Sequence, residues 1–138
     1  MIALLSALGT ALILIAIDTL LAKHFSSKLI AAAILCSIAF IYVGFSLKGN
    51  AVHSIVLEVL VAVGFFFIAA IGHAWNNALI AYGIIIHGIW DVLHHKAVLI
   101  ATAIPGYYPL YCLTVDVILG AYFLFVFRRK QKLGSISN

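Results

Sequence analysis

The sequence is a series of long apolar runs separated by short polar connections. The runs are built mainly from Leu, Ile, Val, Ala and Phe, without the alternation of apolar and polar residues that membrane β-strands show. A helix needs about 20 residues to cross the roughly 30 Å hydrocarbon layer of a membrane. Five runs come close to or reach that length, at approximately residues 2–22, 29–47, 55–72, 78–95 and 107–127. Because helices satisfy their own backbone hydrogen bonds in lipid, the pattern predicts an all-α membrane protein, a bundle of five transmembrane helices.

Composition agrees with this class. The chain has 138 residues, of which 66% are hydrophobic and 9% are charged, whereas about 25% of the residues in a soluble domain are charged. We expect one transmembrane domain over residues 1–130 and a polar cytoplasmic tail over 131–138. The chain is too short for a transporter of two repeated halves. Neither Cys36 nor Cys112 belongs to a C-x-x-C pair, so no disulfide framework or sulfur-rich zinc site is predicted.

The net charge of +4 reflects basic residues at the ends of the apolar runs. Five spans place the first connection and the tail on one side of the membrane. That side holds Lys23, Lys28, Arg128, Arg129, Lys130 and Lys132, and the other side holds only Lys48 and Lys96. The positive-inside rule therefore predicts an N-terminus outside and a cytoplasmic C-terminus, in the cell (inner) membrane. Topology explains the basic residues, so no nucleic-acid partner is expected.

All four acidic residues lie inside apolar runs, namely Asp18, Glu58, Asp91 and Asp116. An ionisable side chain at bilayer depth costs about 3 kcal/mol unless it is paired, hydrated or bound to a metal. Four such costs indicate that the acidic residues mark the functional site of the molecule. For Asp18 the simplest interpretation is a structural hydrogen bond to a neighbouring helix or loop. The second run contains no acid, base or histidine, and we expect it to be scaffold.

The densest chemical cluster is His87-Gly88-Ile89-Trp90-Asp91-Val92-Leu93-His94-His95 in the fourth run. Relative to His87, the side chains of Asp91, His94 and His95 point at about 40°, −20° and 80° around a helix, so all four share one face. Trp90 is expected to pack beside this face.

Two acidic residues of the neighbouring runs are expected at the same depth in the membrane as this cluster. Glu58 lies near the outer end of the third run and Asp116 lies in the outer half of the fifth. The sequence therefore predicts that Glu58, His87, Asp91, His94 and Asp116 converge in one leaflet, in a cavity open to the outer side.

Carboxylates and imidazoles on facing helices are the groups from which helical bundles build metal sites, with i, i+3 pairs such as Asp91 and His94. Oxygen and nitrogen ligands favour zinc, then iron, over copper(I). We expect a divalent metal held by residues of the cluster and of the fifth run, with Glu58 as the catalytic general base. The expected metal ligands are His87, Asp91, His94, Asp116 and His95. The predicted function is that of a metal-dependent membrane hydrolase or oxidoreductase acting on a lipid or apolar substrate.

Other interpretations stay open. The same residues could form a structural network that joins the helices, with His94 or His95 simply reaching the membrane interface, as His53 is expected to do. They could serve a proton or cation transport module, because buried acids and histidines form relays and ion sites. They could also bind haem or pigment in an accessory subunit of a larger membrane complex.

A stripe of small residues in the first run bears on assembly. Ala3, Ala7, Ala11, Leu14 and Asp18 fall on one side of a helix. Small residues at this spacing let another helix approach closely, which favours a homo-oligomer, most simply a dimer, with membrane lipids as the other partners.

The string from His87 to His95, followed by Tyr108-Pro109, Cys112 and Asp116, resembles a family of small bacterial integral membrane proteins of unknown function. The resemblance covers mainly residues 87–120 and implies that these positions belong together. Asp91-x-x-His94-His95 also looks like one histidine box of the membrane desaturases and hydroxylases. Those enzymes use several such boxes, whereas this chain has six histidines in total. The similarity to membrane zinc hydrolases of the ceramidase type is in ligand chemistry alone.

Overall fold

The computed structural model describes residues 2–48, 51–94 and 104–136, and within these ranges the chain forms five helices. They are α1 (Ile2–Leu21), α2 (Ser27–Ser46), α3 (Val52–Ala74), α4 (Asn77–Leu93) and α5 (Tyr108–Ile136). The all-helical prediction is confirmed. His95 and Lys96 lie outside the described residues.

Four of the described helices, α1, α2, α3 and α5, are long and apolar enough to cross a membrane, which indicates a multi-pass membrane protein. The fourth helix, α4, has 17 residues and is therefore only about 25 Å long. Large apolar side chains cover the outer surface, including Leu12, Phe67 and Ile89. In water such a surface would drive association, whereas hydrocarbon solvates it.

The helices do not pack simply in chain order. α4 occupies the centre and contacts α3, α5 and α2, while α1 lies against α5 and barely touches α2. Ala7 and Ala11 of the small-residue stripe are fully buried. The stripe therefore serves packing inside the protomer, and the predicted homo-oligomer stays a prediction that this stripe no longer favours.

Two glycines bring α4 and α5 close together. A Cβ atom on Gly88 would lie 3.2 Å from the Cβ of Asp116, and one on Gly120 would lie 3.0 Å from the carbonyl oxygen of Ala81. Side chains at these two positions would hold the helices apart. Their absence sets Asp116 directly against the helix that carries His87 and Asp91.

The two ends of the bundle differ in chemistry. At the end where α1 meets α2, the Tyr122 hydroxyl donates a hydrogen bond to Asp18 (2.7 Å), as expected of a structural acid, and the Lys130 ammonium donates to Ser27 (3.1 Å). The described part of α5 continues to Ile136, so residues 131–136 of the predicted polar tail are helical. The remaining buried polar residues lie toward the other end, beyond an apolar layer that includes Leu35, Ile84 and Leu119.

Candidate metal centre

All four acidic side chains are buried. Their exposed fractions are 1% for Asp18, Glu58 and Asp116 and 0% for Asp91. Glu58, Asp91 and Asp116 lie at one end of the bundle, near the start of α3, the end of α4 and the first half of α5. We call this the site end.

His87, Asp91 and Asp116 form a compact group that could hold a metal ion, with one ligand atom from each side chain within 4.8 Å of the others. The Nδ1 atom of His87 lies 2.8 Å from Oδ2 of Asp116 and 3.8 Å from Oδ2 of Asp91. Tetrahedral zinc with bonds of about 2.0 Å places its ligand atoms about 3.3 Å apart. These two distances fall on either side of that value.

Several atoms in this group and beside it lack a hydrogen-bond partner of good geometry among the described residues. They are both carboxylate oxygens of Asp91, Nε2 of His87 and the hydroxyl of Tyr42. The Tyr42 hydroxyl lies near Asp91. Buried polar groups in folded proteins are nearly always hydrogen-bonded. Such a cluster of unsatisfied atoms is therefore the signature of a site that binds water, an ion or a ligand.

Glu58 and His94 form a separate pair. The Nε2 atom of His94 lies 2.7 Å from Oε1 of Glu58, and its Nδ1 atom lies 3.0 Å from the carbonyl oxygen of Trp90. A carbonyl oxygen only accepts, so Nδ1 carries a hydrogen and donates it. The short contact between Nε2 and Oε1 then requires one further proton between them. The pair is neutral overall wherever that proton resides.

Tyr42 of α2 connects the two groups. It is 1% exposed, and its ring stacks on His94 with the centroids 4.2 Å apart and lies 6.1 Å from the ring of His87. The expectation that α2 is only scaffold is wrong. The signal in the sequence was depth, since Tyr42 is placed one turn from the end of its apolar run, at the level of the acids.

A cavity of about 170 Å³ adjoins the group on the side of α1 and α2. His87, Asp116 and Tyr42 contribute to its wall, together with Cys112, which lies one turn from Asp116 on the same face. Sites for cofactors and drug-sized molecules start at about 300 Å³. This cavity is therefore too small for the macrocycle of a haem or a pigment.

The five predicted site residues thus meet at the site end, divided into a three-residue group and a pair. His94, predicted as a metal ligand, bonds to Glu58 and the Trp90 carbonyl, and the Trp90 ring packs beside it with the centroids 5.4 Å apart. His95 lies outside the described residues. His53 is exposed in the first turn of α3 and is not part of either group.

Comparison with known proteins gives no relative for this chain. No family model matches it, and neither a curated protein nor a solved structure is significantly similar to it.

Proposed function

We propose that the protein is a metal-dependent membrane enzyme that acts on a lipid or apolar substrate, with a divalent zinc or iron ion held by His87, Asp91 and Asp116. The observation that carries this proposal is Asp91. Its carboxylate is fully buried, and neither oxygen forms a hydrogen bond of good geometry with a described residue; the Tyr42 hydroxyl lies near it and Nδ1 of His87 lies 3.8 Å from Oδ2. Burying a carboxylate that lacks a well-formed hydrogen bond costs several kcal/mol, and a bound cation offsets that cost.

Charge balance supports a divalent ion in particular. Asp91 and Asp116 supply two negative charges beside a neutral imidazole, and a divalent cation cancels them. The neighbouring Glu58–His94 pair adds no net charge, because it holds a single shared proton. The whole buried assembly is then neutral, which is the condition that a low-dielectric interior favours.

The chemistry divides between the two groups. A divalent ion in the three-residue group would supply a Lewis acid for a carbonyl or phosphoryl oxygen of the substrate. Glu58 and His94 hold one mobile proton between them, as a general acid and base pair requires. The backbone carbonyl of Trp90 fixes the orientation of His94, and the Tyr42 ring stacks on the His94 ring with its centroid 6.1 Å from that of His87.

Ion transport within one protomer has less support. The ionisable groups at the site end and the Asp18–Tyr122 pair at the other end lie on opposite sides of a layer of buried apolar side chains. Leu35, Ile84 and Leu119 in that layer are fully buried. A proton or cation path would need polar groups or water at this depth.

Metal loading tests the proposal. The purified protein is stripped with a chelator, loaded with Zn²⁺ or with Fe²⁺ without oxygen, desalted, and analysed by mass spectrometry of the elements. We expect about one ion per wild-type chain and a much lower content in Asp91→Asn, because a direct ligand is lost and even changes to outer-shell partners cost about 10–100-fold in metal affinity. The matched control is Asp18→Asn, an equally buried aspartate at the opposite end, which should load like the wild type.

Thermal unfolding of the stripped protein separates this site from a structural network. Without metal, Asp91→Asn should unfold at the same or a higher temperature than the wild type, because it removes an unpaired buried charge. A wild type that binds no metal, together with a lower unfolding temperature for Asp91→Asn, would show that the acids only join the helices.

A further inference from the structure

The cavity beside the three-residue group is lined by four helices, α1, α2, α4 and α5, that differ in chemistry. α4 and α5 present His87 and Asp116 on one side, and α1 and α5 present Thr10 and Tyr111 on another. The Thr10 and Tyr111 hydroxyls lie 2.7 Å apart and share a hydrogen bond. Two hydroxyls carry two hydrogens and their mutual bond uses one, so the second can be donated to an oxygen atom of a ligand.

The cavity faces the membrane between α1 and α2. These helices barely contact each other, because α1 packs on α5. The lipid-side wall is made of Leu14, Ile38 and Ile41, and Ile41 is 37% exposed. A molecule dissolved in the bilayer can therefore reach the cavity sideways past three aliphatic side chains, without crossing the aqueous face of the bundle.

Size limits what enters. A cavity of about 150 Å³ holds one benzene molecule, so the 170 Å³ here admits a group of about one ring or a few carbon atoms with an oxygen. A whole lipid does not fit. Any larger substrate must leave its chains in the membrane against α1 and α2 while one functional group is inserted.

The depth of the cavity in the bundle matches the depth at which the polar linkages of a lipid lie in the membrane. Tyr108 is the first residue of α5 and Val115 lies two turns further along, and both line the cavity. With a rise of about 1.5 Å per residue, the cavity extends about 10 Å inward from the helix end. This is the region next to the membrane interface, where the polar linkages of lipids meet their chains.

We propose that the cavity receives the oxygen-bearing group of a membrane lipid, an ester carbonyl or hydroxyl with a few adjoining carbons, and presents it to His87 and Asp116. This inference deepens the proposed function, because it gives the substrate class of the same site. The Thr10–Tyr111 hydroxyl pair orients the oxygen. Binding itself needs no metal, so it can be tested separately from metal loading.

The probe is 4-fluorophenol, a single ring with one hydroxyl, observed by ¹⁹F NMR with chelator-treated protein in nanodiscs of ether-linked lipids, which lack ester groups. We expect saturable binding to the wild type. Leu14→Phe fills the cavity and should weaken binding at least fivefold. Leu12→Phe makes the same change on the lipid face of α1, where Leu12 is 65% exposed, and should bind like the wild type.

A second variant preserves volume. Tyr111→Phe removes one hydroxyl of the pair and should weaken 4-fluorophenol binding without affecting fluorobenzene, whereas Tyr82→Phe on the exposed face of α4 should change neither. This arm decides the question if Leu14→Phe fails to fold. In a competition arm, a monoacylglycerol should displace 4-fluorophenol and hexadecane should not.

Each contrary result overturns the inference. Equal binding by Leu14→Phe and the wild type, or equal loss in Leu12→Phe, would mean that the probe lies in the surrounding lipid. Displacement by hexadecane would show that oxygen is not recognised. Failure of the monoacylglycerol to displace the bound probe would assign the cavity to free small molecules instead of lipids. If metal loading fails while these binding results hold, the substrate cavity stands without the proposed metal chemistry.

Discussion

His87 and His94 show how two similar residues acquire different roles. Both nitrogens of His94 are bonded, one to the Trp90 carbonyl and the other to Glu58. His87 uses only Nδ1, toward Asp116, and its Nε2 has no partner among the described residues. Because Nδ1 of His87 faces both Asp116 and Asp91, His87 can share an ion with the two carboxylates, whereas both nitrogens of His94 are held by other partners.

Glu58→Gln tests whether the shared proton of the Glu58–His94 pair resides on Glu58, so that His94 is neutral, or on His94. The glutamine amide can donate a hydrogen bond to Nε2 of a neutral His94, so the free energy of unfolding should stay within about 1 kcal/mol of wild type. Glu58→Ala removes the partner and leaves a cavity, and should cost about 2 kcal/mol or more. Both free energies of unfolding are to be measured by denaturation in detergent. A loss in Glu58→Gln as large as that in Glu58→Ala would instead show that the pair is an ion pair.

At the scale of elements, the contact between α4 and α5 decides whether the three-residue group of His87, Asp91 and Asp116 forms. Gly88 and Gly120 allow the two backbones to approach, and Asp116 is itself the nearest neighbour of Gly88. The pair of helices thus acts as the rigid part of the site, to which α3 adds Glu58 and α2 adds Tyr42.

Gly120→Ala should therefore destabilise the protein, by about 1–3 kcal/mol as is typical for overpacking. The added methyl group would meet Ile85 and the Ala81 carbonyl. The control is Gly64→Ala in α3, where a Cβ meets nothing within 4 Å. That change should be neutral or stabilising by up to about 1 kcal/mol, because alanine favours helix more than glycine does. Similar unfolding free energies for the two variants would show that the α4–α5 contact tolerates a side chain.

At the scale of the whole molecule, the ends of the bundle differ in charge. Lys23, Lys28 and the basic residues 128–130 and 132 belong to the end opposite the site, and the hydrogen bond from Lys130 to Ser27 joins the first connection to α5 there. We propose that this end faces the cytoplasm of the inner membrane and that the site end faces outward.

Cysteine labelling in intact cells tests this orientation. In a chain with Cys36 and Cys112 replaced by alanine, His53→Cys at the site end should react with a membrane-impermeant maleimide. Lys23→Cys at the opposite end should react only after the cells are opened. His53 and Lys23 are both exposed, so accessibility within the protein is matched. The reverse labelling pattern would place the site on the cytoplasmic side, with its internal geometry unchanged.

The sequence by itself determined the class of protein, the helices and the depth at which the ionisable residues lie. The lengths of the apolar runs and the short connections fix these features, because a helix that crosses lipid has a set length and consecutive helices run in opposite directions. It could not assign the pairing of Glu58 with His94, the central place of Tyr42 or the cavity between α1 and α2. Those features depend on how each helix is rotated and which helices are neighbours. When lipid surrounds the bundle, apolar side chains occupy both its inner and outer faces, so the hydrophobic pattern carries little information about rotation. Close packing at Ala7, Ala11, Gly88 and Gly120 decided the rotation of the helices.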